Sequence, residues 1–505
     1  MPRTTPMADY LSERDGHLFV DDIDTTKLVE EFGSPLFVMS EQQLRNNARR
    51  FHAAFAKHWP DGPVDIMPAN KANWNQGVWA VLADEGLGAD IYSAGELHCA
   101  LSLGLDPNRI SVNGGGKTDE TLRKCIIEGV RITVEELNEP ERINNIAKEL
   151  GKTAKIRLRV KPDFPGIWRR TDFAVESLSV DLGLQIYKAG IPAQYLEELG
   201  REVLKMSNVE LVGLHFHSGR WRSDTWYWKK LMKGYAELIL RLSKAWGGYR
   251  PQELDIGGGF AIEADPLHGL KTRMHAIETF FTYPFELLAH VFGKAGRYKF
   301  MGFAIEKLMQ SKPGSQRAPT IEEYAEAAVT TFRDTLLKGG MDLKGIRLQA
   351  EPGRSFFGNA GIHLTSVKRF KKQTKPIKLN WVLTDTTAFF MNTGVIEFSL
   401  NDFRIANKLN AEETHVADVV GHSCHGDRIL PTVKVPELEN GDLIALLDMG
   451  AYQEISASNF NALPRPPVVL VNGSQADVIK RGETIEDVYA RDIIPPHLRR
   501  EEKIA

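Results

Sequence analysis

Residues 64–97, VDIMPANKANWNQGVWAVLADEGLGADIYSAGEL, read as strand, loop, helix, strand and helix, and they set a rhythm that holds to about Gly358. Val64–Ala69 and Gly88–Ser93 are short, rich in β-formers and closed by turn residues. Working outward, Arg109–Asn113, Arg131–Glu135, Lys155–Val160, Glu210–His217, Glu253–Phe260 and Gly345–Gly353 have the same form. Seven of the eight gaps between and around these segments read as helix, or loop plus helix. Such alternation predicts a (β/α)8 TIM-type barrel, an α/β fold whose chemistry collects at the C-terminal ends of the strands. Lys71 stands just past the first strand, where its amine is placed to make an imine with an aldehyde cofactor.

Later strand ends carry what such a cofactor needs. The seventh closes in Gly257-Gly258-Gly259, where missing side chains let backbone N–H groups approach an anion. The eighth closes in Glu351-Pro352-Gly353-Arg354, a carboxylate and a guanidinium on one turn. Arginine suits bidentate phosphate binding, and a glutamate there can meet a protonated ring nitrogen. Anion sites after strands 7 and 8 are frequent in this architecture. His215 and His217 share one face of the sixth strand, and His217, nearer the mouth, is the better candidate for stacking on a ring.

Composition narrows the classes. The chain has 505 residues and a formal net charge of -3, enough for two cores and without the basic excess of a nucleic-acid binder. Cys99, Cys125 and Cys424 are scattered, with neither metal-like spacing nor a disulfide framework, so no metal is expected. Met1–Arg14 has no secretory apolar stretch and no membrane-length apolar run occurs, so a cytoplasmic protein is expected.

Before the barrel, His17–Val20 and Phe32–Met39 read as strands. Ser40 opens a helix as a capping box with Gln43, and Leu44, Ala48, Phe51 and Phe55 follow on one face. A long helix near 223–246 aligns Trp228, Leu231, Tyr235, Leu238, Leu242 and Trp246 as packing residues. From about Gly361 strands follow without long helices, which predicts a mostly antiparallel β-domain. The expected division is 1–35 joining that β-domain, 36–360 as the barrel, and 361–505 as the β-domain itself. An insert over about 261–317 exceeds a usual βα loop. Its stretch 271–317 carries eight Lys/Arg against three Glu among many aromatics, suiting a lid, a docking surface or subunit packing.

The ordered set VDDIDTTKLVEEFGSPLFV, NKAN (70–73), GADIYSAGEL (88–97), LRVKPD (158–163), GLHFHSG (213–219), DIGGGF (255–260), EPGRS (351–355), Cys424 near Asp427, and GAYQEISASNFNALPRP (450–466) resembles the diaminopimelate/ornithine decarboxylase family of fold-type III pyridoxal-phosphate enzymes. The resemblance implies pyridoxal 5'-phosphate as cofactor, Lys71 as the imine lysine and His217 stacked on the ring. It also implies Gly257, Gly258, Gly259, Gly353, Arg354 and Tyr452 around the phosphate, Glu351 at the ring nitrogen, and Asp90 and Glu96 as acidic positions near the lysine. Cys424 would help protonate Cα from a partner subunit, so the resemblance implies a homodimer with shared sites. The implied activity is decarboxylation of an amino acid or a derivative through a stabilised carbanion. The alternatives are a racemase or epimerase on the same scaffold and a catalytically silent homologue. Related racemases set an arginine where this chain has Glu351, which favours decarboxylation.

The chain departs from the family's pattern in several places. Pro68 replaces a tyrosine, and Arg220 stands where a phosphate-binding serine is usual, with Ser218 shifted earlier. His425 follows the cysteine in place of an acid, Asp427 comes one residue early, and TDTTAFFMNTGVIEF (384–398) lacks the usual arginine. His425 and Asp427 are therefore the expected substrate-reading residues, with a neutral, aromatic, anionic or carrier-linked substrate expected over diaminopimelate.

Overall fold

The computed structural model describes residues 7–161, 188–217, 225–263, 318–375, 379–391 and 402–498. Ser218, Arg220, residues 264–317 of the insert and residues 392–398 of the altered stretch lie outside them.

Eight parallel strands follow in chain order: Val64–Ile66, Ala89–Ile91, Ile110–Val112, Arg131–Val134, Ala154–Lys161, Val209–His215, Glu253–Asp255 and Arg347–Ala350. From the second to the eighth each pairs with its sequence neighbour, and the eighth returns to the first through Leu348–Val64 and Ala350–Ile66. Ala69 bridges Asp90, and the N–H groups of Gly88 and Asp90 donate to the Ile66 and Pro68 carbonyls at 3.1 and 3.2 Å. These contacts bring the first and second strands together and complete the expected TIM-type barrel. Most of the strands are shorter than their sequence signals, because the last residues of each pass from regular strand into the loops at the mouth, some still bonded to the neighbouring strand end, as the Met67 N–H is to the Ala350 carbonyl. Met67–Lys71 after the first strand and Ile256–Phe260 after the seventh are examples.

Ser40 caps the helix Glu41–His58, its Oγ accepting the Gln43 N–H at 3.1 Å. The other half of the expected box is missing, since the Gln43 amide is buried and donates to Asn47 Oδ1 at 2.8 Å. Leu44, Ala48, Phe51 and Phe55 are buried. The helix Thr225–Ala245 buries the aromatic face read from its spacing: Trp228 stacks on Phe260 (4.4 Å) and Tyr235 on Phe332 (5.3 Å).

The second sheet is built around the long strand Gly361–Gln373. It pairs antiparallel with Leu36–Ser40, Leu379–Thr384 and Leu443–Leu446. Two pairings in this sheet are parallel, Leu36–Ser40 with Val468–Asn472 and Leu379–Thr384 with His415–Val420, so it is mostly antiparallel. Leu36–Ser40 thus belongs by its hydrogen bonds to this sheet, although the sequence reading counts it with the barrel. A three-stranded meander (Leu11–Arg14, His17–Val20, Ile23–Asp24) packs Leu18 and Val20 into one core with Val38, Ile362 and Val469. Among the described residues no helix is long and apolar enough to cross a membrane.

Candidate active site

The deepest part of the barrel mouth is a buried ionic cluster. Arg157, in the middle of the fifth strand and fully buried, donates to Glu351 Oε1 (2.9 Å), Gln349 Oε1 (2.7 Å) and, through Nε, Thr133 Oγ1 (2.7 Å), and it pairs with Asp255. Glu351 is held on both oxygens: Asn113 Nδ2 reaches Oε1 at 2.8 Å and His215 Nε2 reaches Oε2 at 2.9 Å. Ligand atoms of His215, Asp255 and Glu351 lie within 4.8 Å of one another, with the Arg157 guanidinium already supplying positive charge among them.

The charge states follow from that geometry. Burial drives His215 down to about 4, so at neutral pH it is an uncharged N–H donor. Burial alone would raise Glu351, but its bond to His215 and the Arg157 charge outweigh burial and hold the carboxyl well below the usual carboxylate range. Asp255 moves the other way, pushed up by burial and then by the neighbouring Glu351 charge against the pull of Arg157. Glu351 and Asp255 thus share one permanent cation, Arg157.

Above this cluster, Lys71 Nζ lies 3.6 Å from Asp90 Oδ2. Its side chain is 48% exposed, so a ligand entering the mouth reaches the amine. Partial enclosure opposes its charge, but Asp90, with Tyr452 and Glu351 behind it, more than compensates and keeps the ammonium above the ordinary lysine range. Burial and then Glu351 push Asp90 up, while Lys71 and Asn113 pull it back. Glu96 is turned to local work: it closes a capping box with Ser93 at the start of the helix Ala94–Ser102.

The anion cradle sits across the mouth. Gly257 and Gly259 have φ of +66° and +104°, a region that strongly favours glycine. A Cβ at Gly257 would collide with the Phe216 carbonyl, and one at Gly258 with the Glu351 carbonyl. Asp255 Oδ1 accepts the Gly257 N–H at 2.7 Å and shapes the turn. His217 Nδ1 accepts the Gly258 N–H at 3.2 Å, and burial with the nearby Lys71 charge holds this imidazole neutral. The Arg354 guanidinium lies 4.8 Å from the Tyr452 ring, and the Tyr452 hydroxyl abuts Gly353. Tyr452 has φ +64° and its N–H donates to the Ala72 carbonyl at 2.7 Å, tying it to the Lys71 loop.

Cys424 lies exposed on a separate loop, its N–H donating to Asn461 Oδ1 at 2.9 Å. Next to it His425 is exposed, whereas Asp427 is buried with its carboxylate committed: Oδ1 accepts from Ala388 N (2.7 Å) and Thr387 Oγ1 (3.1 Å), and Oδ2 from Ser423 N (2.9 Å). The structure thus brings Lys71, Asp90, His217, the three glycines, Glu351, Gly353, Arg354 and Tyr452 to one mouth. Sequence reasoning missed Arg157 and Asn113, and it left His215 without a role. The available signal was Arg157, two residues before Arg159, set among the apolar residues of the strand run IRLRV.

A neutral imidazole, a fixed carboxylate, an accessible lysine and a glycine–arginine cradle match the ring face, ring nitrogen, aldehyde and phosphate of pyridoxal phosphate. Residues 41–297 match the family described as pyridoxal-dependent decarboxylase, pyridoxal binding domain. The chain belongs to this family. Its cofactor is pyridoxal phosphate and its reaction class is amino-acid decarboxylation. It is similar over its whole length to proteins named diaminopimelate decarboxylase. That of Archaeoglobus fulgidus is 29% identical over 96% of this chain and 99% of its own length. That of Pseudomonas aeruginosa is 28% identical over 97% and 100%. The crystal structure of the Methanocaldococcus jannaschii protein in complex with L-lysine superimposes with a TM-score of 0.80 at 27% identity, covering 97% of this chain and 99% of that one.

Proposed function

We propose that this decarboxylase removes the α-carboxylate of its amino-acid substrate at the barrel mouth, with Lys71 holding the cofactor through its amine. The observation that carries the reading is a Glu351 carboxylate fixed by Arg157, Asn113 and His215 in the same barrel mouth as an accessible Lys71 amine. Bound pyridoxal phosphate supplies an electron sink for the pair left at Cα when CO2 departs. Glu351 keeps the ring nitrogen protonated, because an adjacent anion favours the charged form. Arg157, Asn113 and His215 keep Glu351 ionised and oriented. His217 covers the ring face as a neutral imidazole, and Gly257–Gly259, Gly353, Arg354 and Tyr452 receive the phosphate.

Cys424 hands a proton to Cα in this reading, and its exposed position supports delivery from a second copy of the chain. Asp427 enters as the organiser of the Cys424 loop, since three bonds within its own chain occupy its carboxylate. The diaminopimelate activity named for the relatives finds little support at the cysteine, where His425 stands in place of an acid. Incubating the purified protein and pyridoxal phosphate with a panel of amino acids tests the proposal. CO2 release that depends on Lys71 and on the cofactor is expected. No CO2 from any of them, with interconversion of enantiomers instead, would overturn it.

A further inference from the structure

We propose that Asn113 is a positioning residue for Lys71: by joining Asp90 to Glu351 through one amide, it holds Lys71 as an ammonium paired with Asp90. The inference rests on the decarboxylase reading above and adds what governs the reactivity of its lysine. Asn113 follows the third barrel strand and is buried. Its Nδ2 donates to Asp90 on one side and to Glu351 Oε1 at 2.8 Å on the other. Its Oδ1 lies 3.4 Å from Arg157 Nη2 and 3.5 Å from the Ser111 hydroxyl. The amide can face only this way, because an ionised carboxylate only accepts and a guanidinium only donates.

The loop behind Asn113 keeps that amide still. The Asn113 N–H donates to the Ile91 carbonyl at 2.8 Å, and Glu135 Oε1 accepts the Gly114 N–H at 2.6 Å. Further along, the Lys117 ammonium is buried and donates to the Gly114 carbonyl (2.5 Å), the Thr133 carbonyl (2.7 Å) and Glu139 Oε1 (2.8 Å). One amide is thus fixed between the carboxylate beside the lysine and the carboxylate deeper in the barrel.

Charge makes the amide consequential. Asp90 faces Glu351, Lys71, Asn113 and Glu96, and Lys71 faces Asp90, Tyr452, Glu351 and Arg159. Without the amide Glu351 still has Arg157 and His215, so Asp90 is the carboxylate left to take up a proton. The Lys71 ammonium, 3.6 Å away, supplies it. An Nζ–H bond breaks, an O–H bond forms on Asp90, and the pair becomes a neutral amine and a neutral carboxyl. A hydrogen bond to a charged group favours that charge state about 10- to 100-fold, and the free-amine fraction of Lys71 rises in proportion when the bond is lost.

The test is competitive acetylation of the full chain, freed of cofactor, with a trace of acetic anhydride at neutral pH. Mass spectrometry reads the label on Lys71 against the exposed Lys229. Only a free amine reacts, so the ratio reports the charge on Lys71. Asn113→Leu, close in size and without donors, should raise the ratio at least about 10-fold. Asp90→Asn should raise it too, and adding Asn113→Leu to Asp90→Asn should change it less than about 2-fold, because both act on one carboxylate. Lys117, buried in the same loop, should stay unlabelled throughout. No rise in either single variant, a rise matched at Lys117, or factors that multiply in the double variant would overturn the inference. Failure of the underlying reading looks different, because pyridoxal phosphate would then not protect Lys71 of the parent protein from acetylation.

Discussion

The Arg157 guanidinium and the Glu351 carboxylate meet at 2.9 Å inside the barrel, with side-chain exposures of 0% and 2%. This pair is a fixed charge on which the chemistry above it rests. The same guanidinium holds Asp255, which holds the Gly257 turn, so one residue supports both the ring-nitrogen side and the phosphate side of the mouth.

Arg157→Met therefore leaves two buried carboxylates without their cation. Breaking a buried pair from one side costs about 3–5 kcal/mol, and a matching fall in denaturant stability is expected together with weaker cofactor binding. Denaturant melts of apo and loaded protein, with a cofactor titration, check this. Stability within about 0.5 kcal/mol of the parent would contradict the role given to Arg157, since that is the scale of an ordinary surface substitution.

Gly258→Ala places a methyl group against the Glu351 carbonyl. The cradle and the eighth strand end must then separate. Cofactor affinity is expected to fall at least about 10-fold, equivalent to roughly 1.4 kcal/mol, as measured by equilibrium dialysis. Gly340→Ala, at a position with open space around it but a positive φ, should lower stability without changing that affinity.

Acid sensitivity has a definite sign. Burial lowers His363 from 6.5 to about 3 in the folded protein, where its Nε2 lies 2.8 Å from Thr386 Oγ1. Below 6.5 the unfolded chain takes up the proton and the folded chain does not. The stabilising contribution is thus full above 6.5 and is lost as the pH falls toward 3, by about 2 kcal/mol between pH 6.5 and 5. His363→Gln should flatten the dependence of Tm on pH across that window. An unchanged slope would remove His363 as its source.

If Cys424 serves the site of a second copy, mixing inactive Lys71→Ala and Cys424→Ala chains should restore activity, because one hybrid site then holds both wild-type residues. Native mass spectrometry of the mixture would show the heterodimer. Activity no higher than the sum of the separate variants, with heterodimer present, would place both residues in one chain's site.

The barrel was legible because its strands are short apolar runs and its strand ends carry lysine, glycine and acid–arginine pairs that few structural needs explain. The buried cluster beneath them was harder to read. Arg157 looks like a surface residue in a strand, and only closure of the barrel brings it against Asp255 on the seventh strand and Glu351 on the eighth. Leu36–Ser40 was read as a strand, but its place beside Gly361–Gln373 is a pairing across more than three hundred residues that no local pattern encodes. The burial of Asp427 arises from loops folding over one another, where periodicity carries no information.

The most direct test of the account is to load the purified protein with pyridoxal phosphate, reduce it with borohydride and map the modified peptide by mass spectrometry. The cofactor's mass is expected on Lys71 alone, with no fixed cofactor in Lys71→Ala. Cofactor fixed to a different lysine, or undiminished CO2 release by Lys71→Ala, would contradict it.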